Sequence, residues 1–384
     1  MPFHPSRLPF RRPPCYISDM ARKRANRGEL PAKATATDPT PEKLLADLRS
    51  LIQATRTGVA RAVNSAQVLL YWQVGSRIRT DVLHSKRAGY GEKILPTLSA
   101  KLAPEYGRGF GERNLARMVR FAEVFPDREV VLTLAGGLGW SHFVEINPLG
   151  DDLKRDFYAE MCRIERWSVR ALREKIGGML FERTALSRKP EKLARIELAK
   201  LREGDQLSPD LVFRDPYLLD FLGLKDTYSE KDLESAILRE LESFILELGT
   251  GFAFVARQKR ITVDDQDYYL DLLFYHRKLH RMVAVELKLG TFRAADKGQM
   301  ELYLRWLERH EMEPGEEAPL GLILCSDKSD EHVELLQLDR SGIRVAAYLT
   351  DLPPKEVLER KLHESARRAK ARLEAGSTEA GSPD

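Results

Sequence analysis

Two short apolar runs, each broken by charge, constrain this chain more than any other feature in it. Tyr268-Tyr269-Leu270-Asp271-Leu272-Leu273-Phe274-Tyr275 and Val283-Ala284-Val285-Glu286-Leu287-Lys288-Leu289 have the length and the aromatic, β-branched and aliphatic character of strands. The polar stretch between them, His276 to Arg281, reads as a hairpin turn. Side chains alternate along a strand, so Glu286 and Lys288 share one face while Val285, Leu287 and Leu289 share the other. A turn near Lys278-Leu279 sets Asp271 opposite Glu286. Charges inside an apolar strand are costly to bury unless they are paired or bind a metal. The cluster therefore reads either as a Lys–Glu pair of the kind many sheets contain or as a catalytic site. A bare D…ExK pattern does not decide between them.

The surrounding segments add polar groups. Ser229-Glu230-Lys231-Asp232 is a capping-box variant opening a helix that ends at Gly249. Its apolar stripe is Leu233, Ile237, Leu241, Phe244, Ile245 and Leu248, and Glu234 falls inside that arc. A carboxylate there asks for a partner; alternatively it sits in the first turn, where the helix dipole favours an acid. Strands are expected over Phe252–Val263, Tyr268–Tyr275, Met282–Leu289, Leu320–Cys325 and Ile343–Leu349. Helices are expected over Ala294–His310, Asp330–Leu338 and from Lys355 to about Glu374. The resulting order, α-β-β-β-α-β-α-β, predicts a mixed sheet with helices on both faces. Gln299 and Tyr303, four residues apart, share one face of the helix that follows the Glu286 strand. Asp215-Pro216 reads as the cap of a short helix over Tyr217–Leu222.

The amino-terminal half is helical in pattern. One helix is expected around Leu44–Ile52 and a second from about Ala60 to Asp81. Ile94–Leu102, with Pro96 near its first turn, then a Gly-rich turn over Tyr106–Gly111, then Glu112–Phe125, resemble a helix-turn-helix. On the last of these helices Leu115, Met118 and Ala122 form the apolar stripe. Arg113, Arg117 and Arg120 share an exposed face. Such a face either contacts phosphates and purine edges or simply keeps the helix solvated. Ser141 and Ser168 are candidate caps, with Trp140 and Trp167 packing into the core before them.

Charge is unevenly spread. Residues 1–40 hold eight Lys and Arg against three acids, an excess of +5, so the rest carries −1 of the total +4. Nucleic-acid contact must therefore come from local patches. The first 40 residues read as a disordered basic arm, and Met20 reads as an alternative start. No apolar run approaches the ~20 residues that span a bilayer, so no membrane partner is expected. Cys15, Cys162 and Cys325 make no CxxC pair, which argues against a zinc or disulfide framework and fits a cytoplasmic protein.

Glu234, Asp271, Glu286-x-Lys288 and Gln299-x-x-x-Tyr303, in that order along the chain, resemble the PD-(D/E)xK nuclease superfamily. More closely, residues 44–365 resemble the bacterial YhcG-type nucleases, on Asp215-Pro216-Tyr217, Phe221-Leu222-Gly223-Leu224 and Trp140-Ser141-His142. Leu270, not proline, precedes Asp271, a departure from the superfamily's name. The resemblance implies a two-domain α+β protein. A helix-turn-helix-like, all-helical domain precedes a restriction-endonuclease-like αβββαβ mixed sheet. Expected boundaries are a basic arm over 1–40, a helical, candidate DNA-binding domain over 41–185, a linker over 186–210, the nuclease domain over 211–365 and a disordered tail over 366–384. It further implies a Mg²⁺ (or Mn²⁺) site on Glu234, Asp271 and Glu286, with Asp271, Glu286, Lys288, Gln299 and Tyr303 catalytic. Magnesium suits such a site because it is a hard ion taking oxygen ligands, able to polarise a phosphate and acidify water. The expected partner is nucleic acid, foremost DNA, with a homodimer as one way to cut two strands. Two rival readings stay open: an inactive nuclease fold that only binds nucleic acid or protein, and an RNA-directed nuclease of a defence system.

Overall fold

A computed structural model describes residues 41–84, 90–224 and 228–379. The basic arm expected over 1–40 lies outside the described residues. The helical half comprises α1 (Pro41–His84), α2 (Tyr90–Tyr106), α3 (Glu112–Val124), α4 (Arg128–Ala135), α5 (Trp140–Ile146), α6 (Asp152–Glu165), α7 (Val169–Gly177), α8 (Leu180–Arg183) and α9 (Glu191–Gly204). The chain parts into two units, Met1–Thr55 and Arg56–Asp384. In the first, Leu45, Leu48, Leu51 and Ile52 keep their helical spacing but are exposed, Leu51 by 64%.

Several expectations need correction. The two helices expected over Leu44–Asp81 are one, because no proline interrupts them and Gly58 alone costs a helix only about 1 kcal/mol. Pro96 lies beyond the first turn of α2, which begins four residues earlier than expected. Gly139, not Ser141, caps α5, and its N–H donates to His142 Nδ1 (3.1 Å). Ser168 does cap α7, accepting from Ala171 N at 3.2 Å. Ser168→Ala should lower stability by about 1 kcal/mol in chemical denaturation, since it orphans one of the first-turn donors. Trp167 is buried, and Trp140 is half-buried with its indole N–H on Asn114 Oδ1. Gly75 marks a close crossing: a Cβ there would overlap the Met118 carbonyl, so α1 and α3 meet backbone to backbone. The segment 186–210, expected to be a linker in the form of a hinge or a surface helix, contains the helix α9, whose Ala194, Leu198 and Leu201 are not on the surface but belong to the helical core.

The second half continues as α10 (Pro209–Val212), β1 (Tyr217–Leu218), α11 (Glu230–Arg239), α12 (Leu241–Leu248), β2 (Phe252–Val263), β3 (Gln266–His276), β4 (Arg281–Thr291), α13 (Ala294–His310), β5 (Leu320–Asp327), α14 (Asp330–Leu335), β6 (Ile343–Leu349) and α15 (Lys355–Glu379). One six-stranded sheet has the order β1-β6-β5-β4-β3-β2. The β2–β3–β4 part is antiparallel, and β4–β5–β6–β1 is parallel. Its two faces carry separate cores. Leu272, Phe274, Val283, Val285 and Leu287 pack under Leu233, Ile237, Phe244 and Leu248 of α11 and α12. Leu273, Ala284, Ile323 and Cys325 pack under Met300, Tyr303 and Leu307 of α13.

Here too the chain departs from expectation. The helix opened by Ser229 breaks at Glu240 into α11 and α12. Tyr217 and Leu218 form an edge strand on Tyr348 and Leu349, not a helix. Asp215 caps nothing: its Oδ1 accepts from Ala347 N (3.0 Å) and its Oδ2 pairs with Arg188 (2.6 Å) and with Lys328. Burial opposes its charge, but the Lys328 ammonium and Arg188 guanidinium hold its pKa below the usual value. The tail expected to be disordered from 366 instead continues α15 to Glu379. The helical half and the sheet are joined through Glu247, which pairs with Arg183 (2.5 Å) and Arg214 (3.0 Å), and through Lys278, which donates to Ile164 O and Glu165.

Candidate active site

The β3–β4 hairpin turns over residues 277–280, and its ladder runs from His276↔Arg281 to Leu272↔Val285. Asp271 and Glu286 are the next residues on the two strands, close enough for Asp271 to raise the pKa of Glu286. The ladder stops there, and the Asp271 side chain takes over a main-chain role: its Oδ2 accepts the Leu287 N–H at 2.8 Å. Strand parity puts Glu286 with Ala284 on the α13 side; on β3 both Leu270 and Leu273 join that core, so the alternation is interrupted at Asp271.

Glu286 is 5% exposed. Its Oε1 accepts from Lys288 Nζ (3.0 Å) and from Gln299 Nε2 (3.2 Å). Its Oε2 is buried without a hydrogen-bond partner. Gln299 Nε2 also meets the Tyr303 hydroxyl at 2.5 Å, and that hydroxyl donates to Tyr269 O at 3.2 Å. The four-residue spacing on α13 thus puts both side chains over the strands. From the opposite helical layer comes Glu234, half-buried on α11. It reaches Asp271 through Gln258, whose side-chain NH₂ donates to Glu234 Oε2 (3.0 Å) and Asp271 Oδ1 (2.9 Å).

The electrostatics follow from crowding acids in a partly dry site. Burial, then the neighbouring Asp271, pushes Glu286 up to about 7 against a Lys288 ammonium that pulls it down. Burial raises Asp271 as well, against the Leu287 N–H and Gln258. Glu234 is raised by burial and by Asp271. Lys288 is raised: burial disfavours its charge, but Glu286 outweighs that. Carboxylates that raise one another's pKa are short of positive charge. With the orphaned Glu286 Oε2, Asp271 and Glu286 fit a divalent cation. As the side chains stand, no group of three His, Cys, Asp or Glu is gathered for an ion among the described residues. Glu234 is kept apart by the intervening amide.

A family model described as the YhcG PDDEXK nuclease domain matches residues 210–363, and a DUF1016 N-terminal domain model matches 47–183. The chain is 34% identical over 358 residues to the Escherichia coli (strain K12) protein named "Putative nuclease YhcG", covering 85% of this chain and 93% of that one. The chain belongs to the YhcG nuclease family. Solved structures with local similarity include a repair endonuclease from Pyrococcus abyssi (20% identity, TM-score 0.24, 34% of this chain and 50% of that one). Another is titled "Structure of EndoMS-dsDNA2 complex" (17% identity, TM-score 0.26, 34% and 49%).

Within this YhcG-family chain, Arg113, Arg117 and Arg120 lie on α3, away from the acids in sequence. Arg113 and Arg120 are exposed and Arg117 is half-buried; Arg120 also pairs with Glu123 (2.9 Å). Two residues near the acids escaped the sequence reading. Gln258 gave no signal, because its role depends on a backbone irregularity. Glu230, whose Oε1 accepts the Leu289 N–H (3.0 Å), looked like part of a capping box only. No helix among the described residues is long and apolar enough to cross a membrane.

Proposed function

We propose that this protein is a divalent-metal-dependent endonuclease acting on DNA. The observation that carries the proposal is the convergence of Asp271, Glu286 and the Lys288 ammonium at the end of the β3–β4 ladder. PD-(D/E)xK nucleases generally use divalent metals. Here Asp271 and Glu286 would hold the ion, Mg²⁺ or Mn²⁺, with Glu234 completing the set. When bound, such an ion polarises a phosphate oxygen and makes water more acidic.

The chain's own groups do the rest. Lys288, anchored on Glu286, presents a positive charge where negative charge builds up on phosphorus, an effect worth several kcal/mol in a water-poor site. Gln299, itself bonded to the Tyr303 hydroxyl, holds Glu286 in one orientation, and both would offer polar edges to the scissile phosphate. Membership of a nuclease family, together with a site that keeps both acids and the lysine, favours an active enzyme over a binding module. Purified wild type incubated with duplex, branched and single-stranded DNA and with RNA tests the substrate class. Cleavage of DNA that is lost in Lys288→Ala supports the proposal; cleavage of RNA alone would replace it with the RNA-directed reading, and none at all with the binding module.

The helix-turn-helix-like α2–α3 pair would bring the duplex to that site, through Arg113, Arg117 and Arg120. The triple change Arg113→Ala, Arg117→Ala and Arg120→Ala should weaken duplex binding about uniformly across sequences. The slope of log affinity against log salt should fall by up to ~3, about one for each phosphate no longer neutralised. Fluorescence anisotropy across a salt series measures both; an unchanged slope makes these arginines a solvated face. Buried thiols at Cys162 and Cys325 suit a reducing, cytoplasmic setting. Two chains acting together would allow both strands to be cut.

A further inference from the structure

Gln258 is an odd residue to find where it stands. It lies in β2 between Arg257, which pairs with Leu272, and Lys259, which pairs with Leu270, so it faces Asp271 across the strands. The ladder slips a few residues earlier, between Phe254 and Ala256. Gln258 itself has φ of 44°, a left-handed conformation that long side chains seldom adopt and that costs on the order of 1 kcal/mol. What the strain secures is the aim of the side chain: one NH₂ group donating to two carboxylates, Glu234 and Asp271, that come from different layers of the fold. An electropositive group between two acids occupies the place a shared cation would take. An amide can also reverse itself, offering a carbonyl oxygen to a cation in place of its NH₂.

We infer that Gln258 belongs to the cation site, both as the group that positions its acids and as a ligand. It holds Glu234 and Asp271 together while no ion is present, and it turns its carbonyl oxygen toward the ion when one arrives. This rests on the metal-dependent reading above. It accounts for why the three acids are not already gathered as a ligand set: Gln258 stands between them. It also assigns Glu234 to the same ion as Asp271.

Two substitutions of similar size separate this role from simple packing. Gln258→Glu puts a third carboxylate at the notch. It should lower the melting temperature in EDTA, because three acids then repel, and tighten Ca²⁺ binding about tenfold, since affinity for such ions rises with ligand charge. Gln258→Met keeps the bulk but offers a hard ion no ligand. It should lower the melting temperature in EDTA and weaken Ca²⁺ binding several-fold. Calorimetric titration of Ca²⁺ into the full-length protein without substrate, with circular dichroism to confirm folding, gives both readouts. Opposite changes in affinity for the two variants support the proposal. Equal affinities, or changes of the same sign, overturn it while leaving the nuclease reading intact. If wild type itself binds neither Ca²⁺ nor Mn²⁺, the proposal and the metal-dependent reading fall together.

Discussion

Asp271→Asn should reduce phosphodiester cleavage by at least about a thousandfold, a barrier rise of roughly 4 kcal/mol. The substitution preserves shape and leaves an oxygen able to accept the Leu287 N–H. What it removes is one of the three negative charges that would hold the ion. Without Asp271, Glu286 stays tied to Lys288 and Gln299, Glu234 lies in the other helical layer, and a divalent cation has little reason to stay. The asparagine variant should remain folded and, if the arginines of α3 carry the proposed contact, keep its affinity for nucleic acid. Single-turnover cleavage, with binding measured separately, distinguishes these effects. A variant that cuts within tenfold of wild type would remove Asp271 from the chemistry.

The second large effect concerns stability without metal. Glu286 titrates near 7 in the folded protein and near 4.5 in the unfolded chain. Between those values the folded state keeps a proton the unfolded chain has released. Stability from this group is therefore lost as pH rises from about 4.5 to about 7, by about 3 kcal/mol at most. His276 works against this slope. Burial lowers it to about 4, so the folded protein gains stability as pH rises from about 4 to 6.5. A comparison of wild type with Glu286→Gln cancels the histidine. In EDTA, the variant's stability relative to wild type should improve by about 3 kcal/mol between pH 4.5 and pH 8. Denaturant unfolding at several pH values measures it; parallel profiles would mean that Glu286 is not strained by burial and by Asp271. The same stress is what a bound cation would relieve, so added Ca²⁺ should flatten the wild-type profile.

Much of this arrangement is local, and local features are readable from sequence. The hairpin turn, counted from Lys278-Leu279, is enough to bring Asp271 against Glu286, because strand register carries over residue by residue. The spacing of Gln299 and Tyr303 fixes their common face on α13 by helix geometry alone. The capping serines Ser168 and Ser229 announce their helices for the same reason. What escapes the sequence is set by distant partners. Asp215 looks like a helix cap until Arg188 and Lys328, 27 and 113 residues away, are seen to claim it. Gln258 is an ordinary strand residue until its left-handed backbone aims it at two acids. The stretch around α9 reads as a hinge or surface helix because it is densely charged and follows Lys189-Pro190; that Ala194, Leu198 and Leu201 are buried shows only against the helical core. The exposed leucines of α1 mislead in the other direction, since apolar spacing predicts a helix without saying what it packs on.

The proposed function is ion-dependent hydrolysis at one cluster, Asp271, Glu286 and Lys288. The most direct measurement is a time course of labelled-duplex cleavage by a single preparation of wild type, with Mg²⁺ supplied, chelated and supplied again. Cleavage that proceeds, stops with EDTA and resumes is the predicted result, with Asp271→Asn inert throughout. Cutting that continues in EDTA, or that survives in Asp271→Asn, would contradict it.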